Sequence, residues 1–122
     1  MVHLTREQII QAPDLKTVEV EVPEWGGSVL MREMNGEERI QFEDAYKRLM
    51  ADSERSDSDK AIQTMALLVS TMIVDDAGEH VFAPDDAALL AKKSSGVLVR
   101  LTAAAKKLSS ISEADLDELR KN

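Results

Sequence analysis

The chain contains no cysteine. It therefore has no disulfide framework, no thiolate metal site and no thiol nucleophile, and it fits a reducing cytosol. Aromatic residues are scarce at 3%. Leu, Ile, Val, Met and Ala must fill any core, which suits packed helices better than a β-sandwich. No apolar run approaches the roughly 20 residues of a membrane span. The start of the chain carries Arg6 and Glu7 and no long apolar stretch, so it does not read as a signal peptide, and the protein is expected to stay where it is made. Lys and Arg cluster in nothing longer than short pairs such as Lys92-Lys93 and Lys106-Lys107. With a formal net charge of −8 and a pI of about 4.7, nucleic acid and anionic membrane surfaces are poor partners, because phosphate contacts need clustered cations. A basic protein partner is compatible with this charge.

What is present suits a single domain over residues 1–122. A chain of this length buries roughly two-thirds of the surface its unfolded form exposes, and 43% hydrophobic residues can supply a core. The pattern predicts an α+β, mainly α fold: an N-terminal β-hairpin followed by a bundle of four to five short helices. Residues 1–16 form an N-terminal helix and lead-in, 17–34 the hairpin, and 35–122 the helical bundle with a mobile loop at 52–59.

The first short helix runs from Leu4 to Gln11. Thr5 and Gln8 make a capping box, Leu4 and Ile9 a hydrophobic staple, and Pro13 stops it. Val18, Val20 and Val22 alternate with Glu19 and Glu21, the pattern of a strand with one buried face. Pro23 to Gly27 is a turn whose two glycines are free to take positive φ. The return strand, Ser28 to Met34, places Val29 and Met31 on one face and leaves Trp25 at the hairpin tip. Asn35 and Glu38 cap the next helix, which carries Phe42, Ala45, Tyr46 and Leu49 on one side. Ile62, Met65, Ala66, Val69, Met72 and Ile73 keep the helical period in a third helix from about Asp59 to Ile73. Leu67 and Leu68 widen that stripe, which predicts burial on more than one side. Asp75 to Gly78 is a turn. Val74 and Val81-Phe82 around it fit either a second small hairpin or a plain exit from the helix. Pro84 opens a short helix to about Lys92. Ser94 or Ser95 caps a further one with Val97, Leu98, Leu101, Ala104, Ala105 and Leu108 on its apolar face. Ser112 caps the last, with Ile111 and Leu116 as its staple.

Reactive chemistry finds little support. His3 lies at the terminus and His80 follows a surface turn, and no GxSxG elbow accompanies either. Asp75, Asp76, Glu79 and His80 could ligate a metal, but they lack the spacing of an EF-hand loop and read as an ordinary acidic turn. Gly26-Gly27 is not followed by the GK[ST] of a phosphate loop. The sequence predicts no catalytic residue, no metal site and no cofactor. The candidate partner-binding residues are Trp25, Val29, Met31, Met65, Met72 and Phe82. An exposed turn tryptophan often marks an interface, and methionine suits adaptable binding surfaces. The same residues equally serve a core, with Trp25 folded back over the hairpin.

The run VEVEVPEWGGSVLMREMNGEER, from Val18 to Arg39, resembles the opening of tail assembly chaperones of long-tailed, flexible-tailed bacteriophages. The shared elements are an alternating strand, then Pro23, Trp25, Gly26 and Gly27, a second strand, and Gly36, Glu38 and Arg39 at a helix start. The second half is similar in order: Asp75, Asp76 and Gly78, then Val81-Phe82, then Lys93-Ser94 with a Leu-rich helix to Leu108, and a short acidic helix from Ser112 to Asn122. Ala83 departs from the family's usual Ser or Thr cap, a loss of roughly 1 kcal/mol at that helix start, and the loop from Asp52 to Asp59 is unusually charged.

The resemblance implies a chaperone of the tape measure protein, the long helical chain that sets tail length. Such a protein keeps the tape measure soluble, helps recruit the tail tube protein, works in the host cytoplasm and is absent from the mature virion. It also implies self-association and a longer frameshifted form, for which an end at Asn122 fits the shorter product. Amphipathic helices rich in Met and Leu supply the apolar faces that such a role needs. The alternatives are a structural tail or connector subunit retained in the virion, an acidic DNA-mimic inhibitor, and an enzyme with a deep pocket at His80 beside a carboxylate.

Overall fold

The protein is described by a computed structural model covering residues 2–109 and 113–121. A short helix α1 (Arg6–Gln11) precedes strands β1 (Thr17–Val22) and β2 (Gly27–Arg32). Helices α2 (Gly36–Ala51) and α3 (Asp57–Met72) lead into a two-residue strand β3 (Ile73–Val74). A 3-10 turn (Pro84–Asp86) continues into α4 (Ala87–Leu90), and α5 (Ser95–Ser109) and α6 (Glu113–Lys121) close the chain.

The α1 capping box forms as its sequence requires. Gln8 N donates to Thr5 Oγ1 at 3.2 Å and Thr5 N to Gln8 Oε1 at 2.9 Å. The helix buries none of its residues, and both members of the predicted staple, Leu4 and Ile9, remain mostly exposed. In the hairpin Val18 faces Met31, Val20 faces Val29 and Val22 faces Gly27. Burial deepens along β1, from exposed Val18 through half-buried Val20 to buried Val22. Pro23 to Trp25 make a single 3-10 turn. Gly26 alone of the two turn glycines takes positive φ, at +80°, while Gly27 already begins β2. A Cβ at Gly26 would touch nothing within 4 Å, so the burden of Gly26→Ala is conformational. The expected loss is about 1 kcal/mol, read as a lower urea midpoint. Gly27→Ala is the control and should stay within about 0.5 kcal/mol of wild type.

The sheet gains a third strand. Ile73 and Val74 leave the end of α3 and pair with Met31 and Leu30 of β2. Val74 also makes an isolated bridge to His80 across the Asp75–Gly78 turn. Of the two exits that the sequence left open, the small hairpin is the one that forms, and one arm of it joins the main sheet. Ile73 continues the apolar stripe of α3 but is extended, at φ −77° and ψ 125°.

Asn35 caps α2 with a second complete box, each bond 2.8 Å. Phe42 and Tyr46, one turn apart, stack with ring centroids 6.2 Å apart and are buried. The connection expected at 52–59 is shorter, because α3 already begins at Asp57 with Ser56 as its cap. Arg55 braces this connection by bonding Asp52 and Asp59. Helix α3 buries Ala66, Leu68, Val69, Ser70 and Met72. It packs against α2, α4 and α5, which explains why its apolar stripe is wide. The helix after Pro84 ends at Leu90, two residues before the predicted Lys92. Its Ala83 cap has no side-chain bond to offer, but Ala83 N is still met by Asp86 Oδ2 at 3.0 Å. Ser94 caps α5, and Val97, Leu98, Leu101 and Ala105 are buried on its inner face. The predicted Ser112 cap, the Ile111 half of the last staple and Asn122 lie outside the described residues. Leu116, the other half, is buried.

Candidate partner-binding surface

The six candidate partner residues do not form one surface. Met31 and Met72 are 0% and 1% exposed, so neither reaches a partner in this conformation. Their spacing placed them on an apolar face, and that face is turned inward. Trp25, Val29, Met65 and Phe82 are partly buried and pack against the core.

Trp25 is held by its turn. Arg100 of α5 grips Glu24 with two bonds, Nη1 to Oε1 at 3.1 Å and Nη2 to Oε2 at 2.7 Å, and also donates to Glu21 O at 3.3 Å. This fork fastens the hairpin tip to α5 and folds Trp25 toward the core. It also pulls the Glu24 carboxyl from 4.5 down to about 2, chiefly through the Arg100 hydrogen bond and then through a backbone hydrogen bond. A lowered carboxylate value means the contact contributes fully above 4.5 and fades as pH falls toward 2. NMR titration of the Glu24 side chain should give a midpoint near 2, and Arg100→Ala should move it back toward the ordinary carboxylate range, with the backbone hydrogen bond still holding it below.

His80 lies beside a carboxylate, as the enzymatic alternative requires, in an open groove of about 610 Å³ lined by Glu38, Phe42, His80 and Phe82 among others. The carboxylate is committed to structure. Glu38 Oε1 accepts from Asn35 N at 2.8 Å, and Oε2 accepts from Arg32 Nη2 at 2.7 Å and also meets His80 Nε2. Arg32 Nη1 donates on to Gly78 O at 2.8 Å. These five residues tie β2, the start of α2 and the Asp75–Gly78 turn together. Asp75 serves the same turn, its Oδ1 accepting from Ala77 N and Glu79 N, both at 2.9 Å. No three His, Asp or Glu among the described residues are grouped to hold a metal, and no described helix is long and apolar enough to cross a membrane.

The surface that is free is apolar and was not singled out by sequence. Val2, Leu4, Ile9 and Ile10 are 59–83% exposed along the N-terminal arm. The arm is joined to the body where Glu33 N donates to Lys16 O at 2.8 Å. Val81, Leu89 and Val99 are also more than half exposed. A second open groove, of about 670 Å³, runs between α3 and α5 and is bounded by Tyr46 and Met50 of α2 and by Leu116 of α6. Singly exposed apolar residues are ordinary, but four of them on one short arm make a patch of the kind that marks interaction sites.

The family described as phage tail assembly chaperone matches residues 6–122 of the chain. The solved structure of the bacteriophage HK97 tail assembly chaperone is similar at a TM-score of 0.58 and 25% identity, covering 84% of this chain and 94% of that one. No curated protein matches the chain.

Proposed function

The chain belongs to the phage tail assembly chaperone family, and from that premise we propose that it binds the tape measure protein and keeps it soluble. It also helps bring tail tube subunits to the client. It acts in the host cytoplasm by binding alone and leaves before the virion is complete.

The observation that carries this reading is the N-terminal arm, where Val2, Leu4, Ile9 and Ile10 stay in solvent and α1 buries nothing. An apolar segment held clear of its own core is available to a client. Weak contact per copy suffices where many copies line one long chain, because each bound copy raises the local concentration of the next contact. A net charge of −8 keeps such a complex dispersed. The test is co-expression with the tape measure protein encoded by the same phage. The client should move from the pellet to the soluble fraction and co-purify with this chain. A client that stays insoluble in its presence rules the proposal out.

A further inference from the structure

Asn35 is followed by Gly36, and the fold gives no reason for a glycine there. Gly36 opens α2 without a positive φ, and a Cβ on it would touch nothing within 4 Å. Both residues are exposed. The pair has a chemical property of its own. A backbone nitrogen that follows asparagine can attack the side-chain carboxamide, and glycine, having no Cβ, leaves that nitrogen least shielded. Asparagine is thermolabile by such routes.

The step needs only the chain and water. Gly36 N bonds to Asn35 Cγ, the bond from Cγ to the side-chain nitrogen breaks, and ammonia leaves with the proton that Gly36 N gives up. A five-membered imide ring remains. Water then opens the ring on either side. Opening at Cγ leaves aspartate on an unchanged backbone. Opening at the main-chain carbonyl of residue 35 leaves isoaspartate, whose backbone runs through Cβ and Cγ and is longer by a methylene.

In the folded chain this step is closed. Asn35 Oδ1 accepts from Glu38 N, and Asn35 N donates to Glu38 Oε1, each at 2.8 Å. The carboxamide cannot turn Cγ onto Gly36 N while Oδ1 keeps its bond. The cap is tied to the junction behind it, because Glu38 Oε2 accepts from Arg32 Nη2 at 2.7 Å and meets His80 Nε2. Local opening of a helix end frees the carboxamide. The two products then differ in what they can restore. Aspartate caps a helix as well as asparagine does, and its charge suits the positive end of the helix dipole. Isoaspartate carries its carboxylate on a different carbon and pushes Gly36 along by a methylene, so the box cannot re-form in register.

We propose that Asn35-Gly36 is a self-modification site gated by the α2 capping box, which turns opening of the β2–α2 junction into a lasting covalent change. Where opening and closing are fast against the reaction, its rate follows the fraction of open chains.

The test holds the chain in mildly alkaline buffer across a series of guanidinium concentrations. Mass spectrometry of the peptide containing Asn35 reads the exchange of NH for O, and chromatography separates aspartate from isoaspartate. Exchange in native buffer should be about tenfold slower than in the unfolded chain, as a cap of ordinary strength implies. It should already rise with guanidinium below the unfolding transition. Glu38→Ala removes half of the box and should move the native rate toward that of the unfolded chain. That variant also weakens the whole fold, so the series below the transition on the unaltered chain carries the comparison by itself. Gly36→Ala should suppress the exchange even in guanidinium and melt no lower than wild type, since alanine is the better helix former. Aged chains with isoaspartate should melt below those with aspartate.

No exchange at Asn35 in guanidinium overturns the site. One rate in native buffer and in guanidinium, or a rate that stays flat until the whole chain unfolds, overturns the gate and the proposal with it. A Gly36→Ala chain that reacts at the wild-type rate takes Gly36 N out of the route and overturns the proposal as well.

Discussion

Glu38→Ala is expected to lower stability by about 3–5 kcal/mol, the range for breaking a buried ion pair from one side. The Glu38 side chain is 9% exposed and that of its partner Arg32 18%. The carboxylate does three tasks: it caps α2 at Asn35 N, neutralises Arg32 and meets His80. Removing it leaves a guanidinium in a poorly solvated site, where Arg32 Nε already lacks a partner among the described residues. The effect should be visible as a large drop in the urea midpoint with an unchanged slope. Glu38→Gln keeps an acceptor for the cap but loses the charge, and should fall between the two. Arg32→Met combined with Glu38→Ala should recover part of the loss, because no buried charge is then left unpaired. If Glu38→Ala unfolds at the wild-type midpoint, the junction between sheet, turn and helix is not held by this residue.

Leu101→Ala is the second large effect, at about 2–5 kcal/mol. Leu101 is fully buried on α5, where that helix meets α3 and β1. Its loss removes transfer free energy and leaves a cavity between elements that cannot all move inward together. Val99, two residues away on the same helix, is 59% exposed. Val99→Ala should change stability by no more than about 0.5 kcal/mol. The pair separates the two faces of α5, one for the fold and one for the groove. Equal losses at both positions would mean that Val99 is covered by the protein itself.

Local signals made most of the elements readable. The boxes at Thr5 and Asn35 sit within four residues of the bonds they make, so the sequence carries them whole. The valine alternation fixed the face of β1, and the six-position stripe of α3 marked the central helix. What escaped depends on distant partners. β3 is two residues long and its Ile73 keeps the helical period of α3; only pairing with Met31, far back in the chain, makes it a strand. The bond from Arg32 to Gly78 spans 46 residues and leaves no periodic trace. His80 read as a solvated turn residue because its neighbour, Glu38, belongs to another element.

The candidate surface was less legible than the fold. Helical or alternating spacing shows that residues share a face but not whether that face turns inward, which is why Met31 and Met72 were named and are buried. Trp25 read equally as an interface residue and as a cover for the core; it packs against the core, and the bonds from Arg100 that tie its turn to α5 span more than 70 residues and leave no local signal. The signal for the arm was in the sequence all along: an α1 of six residues has too little length to bury Ile9 and Ile10 unless something else covers them.

The central claim is that apolar side chains which this fold leaves in solvent shelter another polypeptide. Light scattering of purified tape measure protein, diluted out of denaturant, tests it most directly. Added in molar excess, the chain should hold the scattering near the buffer level, and a variant with Asp at Leu4, Ile9, Ile10 and Val99 should not, although it stays folded. Scattering that climbs to the same plateau with and without the unaltered chain would contradict the account.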